Sequence, residues 1–195
     1  MGKARFEAFS DGVLAILITI MVLEMKVPHG EDLASLKPLV NVFLSYVLSF
    51  VYLGIYWNNH HHMLHLVKHV TGPMLWANLH LLFWLSLVPF VTGWMGENHF
   101  ATIPAALYGF VLLAAGTAYV ILQHYIIKAQ GPDSPLKRAV GRDWKGKASP
   151  VLYCLGIVGA FVHGFISLAC YVGVALMWVI PDLRIERVLV EKDEA

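Results

Sequence analysis

Residues 148–180 read ASPVLYCLGIVGAFVHGFISLACYVGVALMWVI, 33 positions without a charge. As a single helix, at 1.5 Å per residue, this stretch would be about 50 Å long. The hydrocarbon of a bilayer is roughly 30 Å thick and takes about 20 apolar residues to cross. One helix overshoots. Two short spans meeting at His163-Gly164, where a polar side chain and a glycine permit a turn, fit. Upstream lie four more apolar runs, Gly12 to Val27, Pro38 to Trp57, Met74 to Trp94 and Ala101 to Ile127. The second is expected to continue as helix through Asn58-Asn59-His60-His61-His62. The expectation is an all-α integral membrane protein with six transmembrane helices, one domain over residues 1–182 and a short tail over 183–195.

Composition agrees. Of 195 residues, 58% are hydrophobic and 14% charged, and mean hydropathy is +0.64. Soluble domains are about 45–50% apolar and about 25% charged, so this chain could neither clothe a water-facing surface nor stay disordered. A net charge of +1, with no long basic run outside the loop 128–147, argues against a nucleic-acid partner. Cys154 and Cys170 read as small buried hydrophobes rather than a disulfide or zinc pair.

Charge placement supports six spans over five. Six put both termini and the loops 65–73 and 128–147 on one side, which then holds twelve of the fourteen Lys and Arg residues. Only Lys26 and Lys37 fall on the other. Basic residues gather in cytoplasmic loops, so both termini and the tail are expected in the cytoplasm, with the chain multi-pass in the cell membrane. Five spans would carry Arg184, Arg187 and Lys192 outside.

The first helix holds the most specific residues. It opens Arg5-Phe6-Glu7-Ala8-Phe9-Ser10-Asp11-Gly12. A carboxylate costs about 2.5–3.5 kcal/mol at the bilayer centre and less near the edge, so Asp11 needs a partner. Arg5, six residues away, lies on a different helix face. Two readings stand on spacing alone. Ser10 and Asp11 either join a polar group from another span, or cap and complement the helix N-terminus. Further along, Ile16, Ile20, Leu23 and Val27 form one stripe, with Gly12 and Thr19 on its shoulder. Such an aliphatic stripe ordinarily meets lipid or packs in a core.

Arg5…Phe9-Ser10-Asp11, opening a span of the form Asp-Gly-Val-Leu-Ala-Ile-x-Ile-Thr-Ile, resembles the signature of the transmembrane protein 175 family of potassium channels. Further matches follow in order: Tyr56-Trp57-Asn58-Asn59-His60-His61, Trp76-x-Asn78, Leu87-Val88-Pro89-Phe90 and Trp178-x-x-Pro181. Animal-type members carry two six-span repeats, whereas this chain has one, like the prokaryotic members. The resemblance implies a homotetramer whose first helix lines a central pore, with the bilayer and its own copies as partners. It implies Ile16 as the constriction, Ile20 and Leu23 as the continuing wall, and Thr19 as a polar ring. It further implies that Arg5, Ser10 and Asp11 brace the first helix, with His60 and Asn78 as partners; His61 is the alternative to His60. The implied function is a cation channel of modest potassium selectivity, with K+ as the permeant ion and no cofactor, metal or catalysis.

No Thr-Val-Gly-Tyr-Gly filter is present, and no acidic ring lies on the Ile16 stripe. An aliphatic ring of this kind gates by dewetting. Ten histidines carry the rival reading, a membrane redox protein or metal transporter. His61 and His65, and His65 and His69, stand at i,i+4, a spacing that suits zinc or haem. Yet no carboxylate or cysteine accompanies them, and interhelical hydrogen bonding explains them as well. Neither cysteine has a base beside it in sequence, so no hydrolytic enzyme is read.

Overall fold

The computed structural model describes residues 2–131, 134–140 and 143–179. The tail at 183–195 and Pro181 of the last motif lie outside them. All regular structure among the described residues is helical. The helices are α1 (Lys3–Ile20), α2 (Val40–His65), α3 (Gly72–Ser86), α4 (Val88–Glu97), α5 (Thr102–Gln130), α6 (Pro135–Val140), α7 (Trp144–Ala160) and α8 (Gly164–Val179). Tight 3-10 turns extend α1 over Met21–Glu24 and precede α2 over Leu33–Leu39. Asp32 caps the second of these, accepting from the Ser35 N–H and hydroxyl. The Ser35 hydroxyl, and then its N–H, hold the Asp32 carboxyl below its ordinary pKa.

By length and composition four units can cross a membrane: Lys3–Glu24, Leu33–His65, Gly72–Glu97 and Thr102–Gln130. α2 does run through the Asn-Asn-His-His-His stretch to His65. The third unit is broken at Leu87 into α3 and α4. Pro89 is the reason, since it has no N–H to return to Leu85 and its ring crowds that carbonyl. The last apolar run is broken where expected, with α7 ending at Ala160 and α8 starting at Gly164. His163 makes the turn, its Nδ1 accepting the Phe165 N–H at 3.2 Å, which caps one of the free donors at the start of α8. Cys154 departs from expectation. It sits exposed on α7, while Cys170 is half-buried, because the α7–α8 contact falls on the stripe of Tyr153, Gly156 and Gly159.

The core is built around α5, which packs against α3 on one side and α7 on the other, with α8 against α7 and α2 against α4. Glycines set the close approaches. Tyr171 of α8 lies over both Gly109 of α5 and Gly156 of α7, where a Cβ would collide with its ring. Its hydroxyl donates to the Ala105 carbonyl at 3.0 Å, and the Tyr171 carbonyl accepts the Tyr52 hydroxyl at 2.6 Å. Ser49 bridges Thr92 and Tyr108 at 2.6 and 3.0 Å. Buried hydroxyls thus tie α2, α4, α5 and α8 together, since an unpaired one would be costly there.

Gly96 lets α4 approach the α2 backbone closely. A Cβ at this position would lie 2.7 Å from the Val42 Cα, a backbone atom that cannot swing aside. Gly96→Ala is therefore expected to push α4 off α2 at a cost of about 1–3 kcal/mol, as other overpacked sites do. A thermal unfolding midpoint in detergent unchanged from the parent would contradict this contact.

Candidate functional site

α1 is covered on one face and open on the other. Phe6, Ser10, Leu14, Leu17 and Met21 are buried against α2 and α3, at the 3- and 4-residue spacing of a single helical face. The opposite face carries Arg5, Phe9, Gly12, Ile16, Thr19, Ile20 and Leu23, all exposed. Ile16 is 61% accessible, Ile20 45% and Leu23 76%. They form an aliphatic ridge more than a turn long, opposite the packed face of the helix.

The Thr19 hydroxyl donates back to the carbonyls of Ala15 and Ile16, at 2.9 and 3.0 Å. Its hydrogen is thus engaged, which leaves lone pairs as the only polar feature it offers outward. Back-bonding of this kind loosens the helical ladder. The α-helix does give way to a 3-10 turn one residue after Ile20.

On the covered face a polar chain crosses three helices. The His60 Nε2 of α2 meets the Asn78 Oδ1 of α3 at 2.7 Å. Asn78 Nδ2 donates to the Ser10 Oγ of α1 at 2.9 Å, and Ser10 donates to the Phe6 carbonyl at 3.0 Å. All three side chains are buried. The His60 Nδ1 has no partner and is enclosed. His61 is turned elsewhere, its ring stacked on Trp57 with centroids 6.2 Å apart.

Asp11 and Arg5 are placed differently. The Asp11 Oδ1 accepts the Trp57 Nε1–H at 3.1 Å, joining α1 to α2 one turn from the His60 chain. Arg5 is exposed on the ridge side and forms no ion pair among the described residues. Sequence reasoning did not find Trp57 as the partner of Asp11. The available signal was chemical: an indole N–H at a span end needs an acceptor, and Asp11 lies at the matching end of α1. Lys3 also went unremarked, although its ammonium donates to the His65 carbonyl at 2.7 Å and so satisfies the end of α2. Among the described residues no three or more His, Cys, Asp or Glu side chains converge as a metal site.

The comparisons with known proteins follow the same residues. The family described as endosomal/lysosomal potassium channel TMEM175 matches residues 5–89, which span α1 through the start of α4. A potassium channel of Chryseobacterium sp. (strain P1-3) is 54% identical over 191 residues, covering 98% of this chain and all of that one. The endosomal/lysosomal proton channel TMEM175 of Bos taurus is 35% identical over 86 residues, 38% of this chain and 18% of that one. The crystal structure of a lysosomal potassium-selective channel TMEM175 homolog from Chamaesiphon minutus superposes with a TM-score of 0.81 at 27% identity. It covers 92% of this chain and 97% of that chain. With a bacterial relative matching end to end and a solved channel sharing the fold, the chain belongs to the TMEM175 family of cation channels.

Proposed function

We propose that four copies of this chain assemble around a pore lined by α1 and conduct potassium with modest selectivity. The observation that carries this reading is the uncovered aliphatic ridge of Ile16, Ile20 and Leu23 on a helix whose other face is fully packed. Four such ridges around one axis make a narrow apolar throat with Ile16 as the constriction. Water leaves a throat of that kind, and an ion then crosses only by shedding hydration or when the ring widens. Potassium sheds its hydration at lower cost than sodium, so it passes more readily. Thr19 presents a ring of oxygens beside the constriction and replaces part of the lost hydration. The His60–Asn78–Ser10 chain and the Asp11–Trp57 bond hold the helix at a fixed rotation, which keeps the ridge pointed inward.

In this reading the short helices α7 and α8 cross the membrane together with the four longer units, and six crossings bring both termini to the cytoplasm of a cell-membrane protein. The basic loops support that orientation. Arg5 stands on the ridge side near the cytoplasmic end, where a neighbouring copy lies within reach. The full-length bacterial relative carries the name of a potassium channel, which favours potassium as the cation.

Reversal potentials decide the selectivity. With potassium inside and sodium outside reconstituted liposomes, the zero-current potential is expected to shift toward the potassium equilibrium value. A potential at zero, or one that tracks only a proton gradient, would overturn potassium conduction.

A further inference from the structure

A cavity of about 300 Å³ lies between α2, α5, α7 and α8, and no residue of α1, α3 or α4 lines it. That volume is at the lower end of small-molecule pockets. Along α5 its wall runs from Leu113 to Gln123 and includes Gly116, where no side chain fills the space. Gly116 is the middle residue of α5, a 29-residue helix long and apolar enough to cross a membrane. The inner part of the slot, between Tyr52, Tyr56, Leu113, Gly116 and Tyr153, therefore stands near the middle of the hydrocarbon.

Most hydroxyls in the wall are engaged. Tyr52, Thr117, Tyr119 and Ser149 donate to the carbonyls of Tyr171, Leu113, Asn59 and Lys145. Tyr153 is turned to the Tyr52 hydroxyl. Tyr56 is the exception. It is nine-tenths buried, yet its hydroxyl makes no hydrogen bond among the described residues. A Cβ built on Gly116 would lie 3.6 Å from its oxygen, so the hydroxyl reaches the cavity at its unfilled wall. One turn along the same face of α2, Asn59 donates from Nδ2 to the Ile55 carbonyl while its Oδ1 accepts nothing among the described residues. The slot thus holds a hydrogen without an acceptor and, beside it, lone pairs without a donor, both buried and both costly to leave so.

Charge does not enter this part of the site. At the outer end the Asp143 carboxylate accepts the Gly146 N–H at 2.9 Å, and the Lys145 ammonium lies 5.7 Å from the centre of the Trp178 ring. Both signs already stand there, so that end selects neither an anion nor a cation. At the inner end an ion would leave water for mid-membrane depth, which an uncharged group does at far lower cost.

We propose that this cavity binds an uncharged lipophilic alcohol, its hydroxyl accepting from Tyr56 and donating to Asn59, its apolar body against Leu113, Gly116 and Tyr153. A hydroxyl is the small neutral group that serves both needs, since it accepts and donates through one atom. An ether or ketone would serve Tyr56 alone, and a hydrocarbon neither.

Isothermal titration of the full chain in lipid nanodiscs with 4-phenylbutan-1-ol tests this, with empty nanodiscs subtracting partition into lipid. One saturable site per chain is expected. Butylbenzene, the same frame without the hydroxyl, should bind about fivefold weaker or more, the worth of one buried hydrogen bond, and 4-phenylbutyl methyl ether should fall between the two. The charged probes 4-phenylbutylamine and 4-phenylbutyrate should both be about tenfold weaker or more, since each must shed its hydration or its charge to enter. Tyr56→Phe removes a hydroxyl that bonds to nothing among the described residues, so the fold loses no partner. It is expected to bring the alcohol down to the level of butylbenzene and to leave butylbenzene unchanged. Gly116→Ala places its Cβ in ordinary contact, 3.6 Å from the Tyr56 oxygen and 3.9 Å from the Tyr153 ring, and should weaken alcohol and hydrocarbon alike. No saturable site, a hydrocarbon or charged probe that binds as tightly as the alcohol, or an alcohol preference that survives Tyr56→Phe would overturn the proposal. The measurement reads no conduction, so its outcome is separate from that of the channel reading.

Discussion

Ile16→Asn is expected to raise the resting potassium flux of reconstituted protein roughly tenfold or more, because a carboxamide ring keeps water where an isoleucine ring expels it. Tenfold in rate corresponds to about 1.4 kcal/mol off the barrier, a small part of what a dehydrated ion meets in an apolar throat. Ile16 is 61% exposed in the single chain, so nothing within the subunit is unpacked by the change. That separates a gate effect from a folding effect. Ile16→Val, which only thins the ring, should change flux far less. A liposome flux assay reads both variants. If Ile16→Asn conducts like the parent while a substitution on another helix opens the pore, α1 does not form the constriction.

The second large effect is expected at Asn78. Its carboxamide is the middle link between His60 and Ser10, and all three groups are buried. Asn78→Leu preserves much of the volume and removes both bonds. Ser10 keeps its bond to the Phe6 carbonyl, but His60, whose Nδ1 is already unpartnered, would then have two unsatisfied nitrogens. Each stranded buried polar group costs about 1–3 kcal/mol and only the His60 Nε2 is newly stranded, so a loss of about 1–3 kcal/mol is expected, with a lower thermal midpoint in detergent. Combining Asn78→Leu with Ser10→Ala should cost much less than the sum of the two, since groups in one chain are not additive. Full additivity would mean that the three side chains do not act as a unit.

Much of the architecture is legible one residue at a time. The apolar runs, the end of α2 beyond the histidines, and the break at His163-Gly164 follow from length against bilayer thickness and from where a polar residue and a glycine interrupt the pattern. The break at Leu87, inside the run Met74 to Trp94, was not anticipated, although its cause, Pro89, is equally local. The stripe of Ile16, Ile20 and Leu23 is equally visible as helical periodicity. Its meaning is not. The same spacing describes a ridge against lipid, a core seam or a free face, and only the packing of α2 and α3 against Phe6, Leu14 and Leu17 shows which face of α1 is left open.

Partners in space show the same divide. Ser10 and Asp11 are adjacent in the chain, yet a helix turns about 100° per residue, so one faces Asn78 and the other Trp57. No spacing rule pairs residues 46 or 68 positions apart, and both bonds exist because α1, α2 and α3 meet at one level. The cavity beside Tyr56 has no linear signature at all. By itself, then, the sequence determined that this chain is a bundle of membrane helices of a known channel family, where its apolar runs lie and where the last of them is interrupted, because hydrophobic length and backbone chemistry are local. The tertiary structure alone decided which side chains share a hydrogen bond, which face of α1 stays uncovered and where a void remains, because those depend on how rigid helices fit against one another.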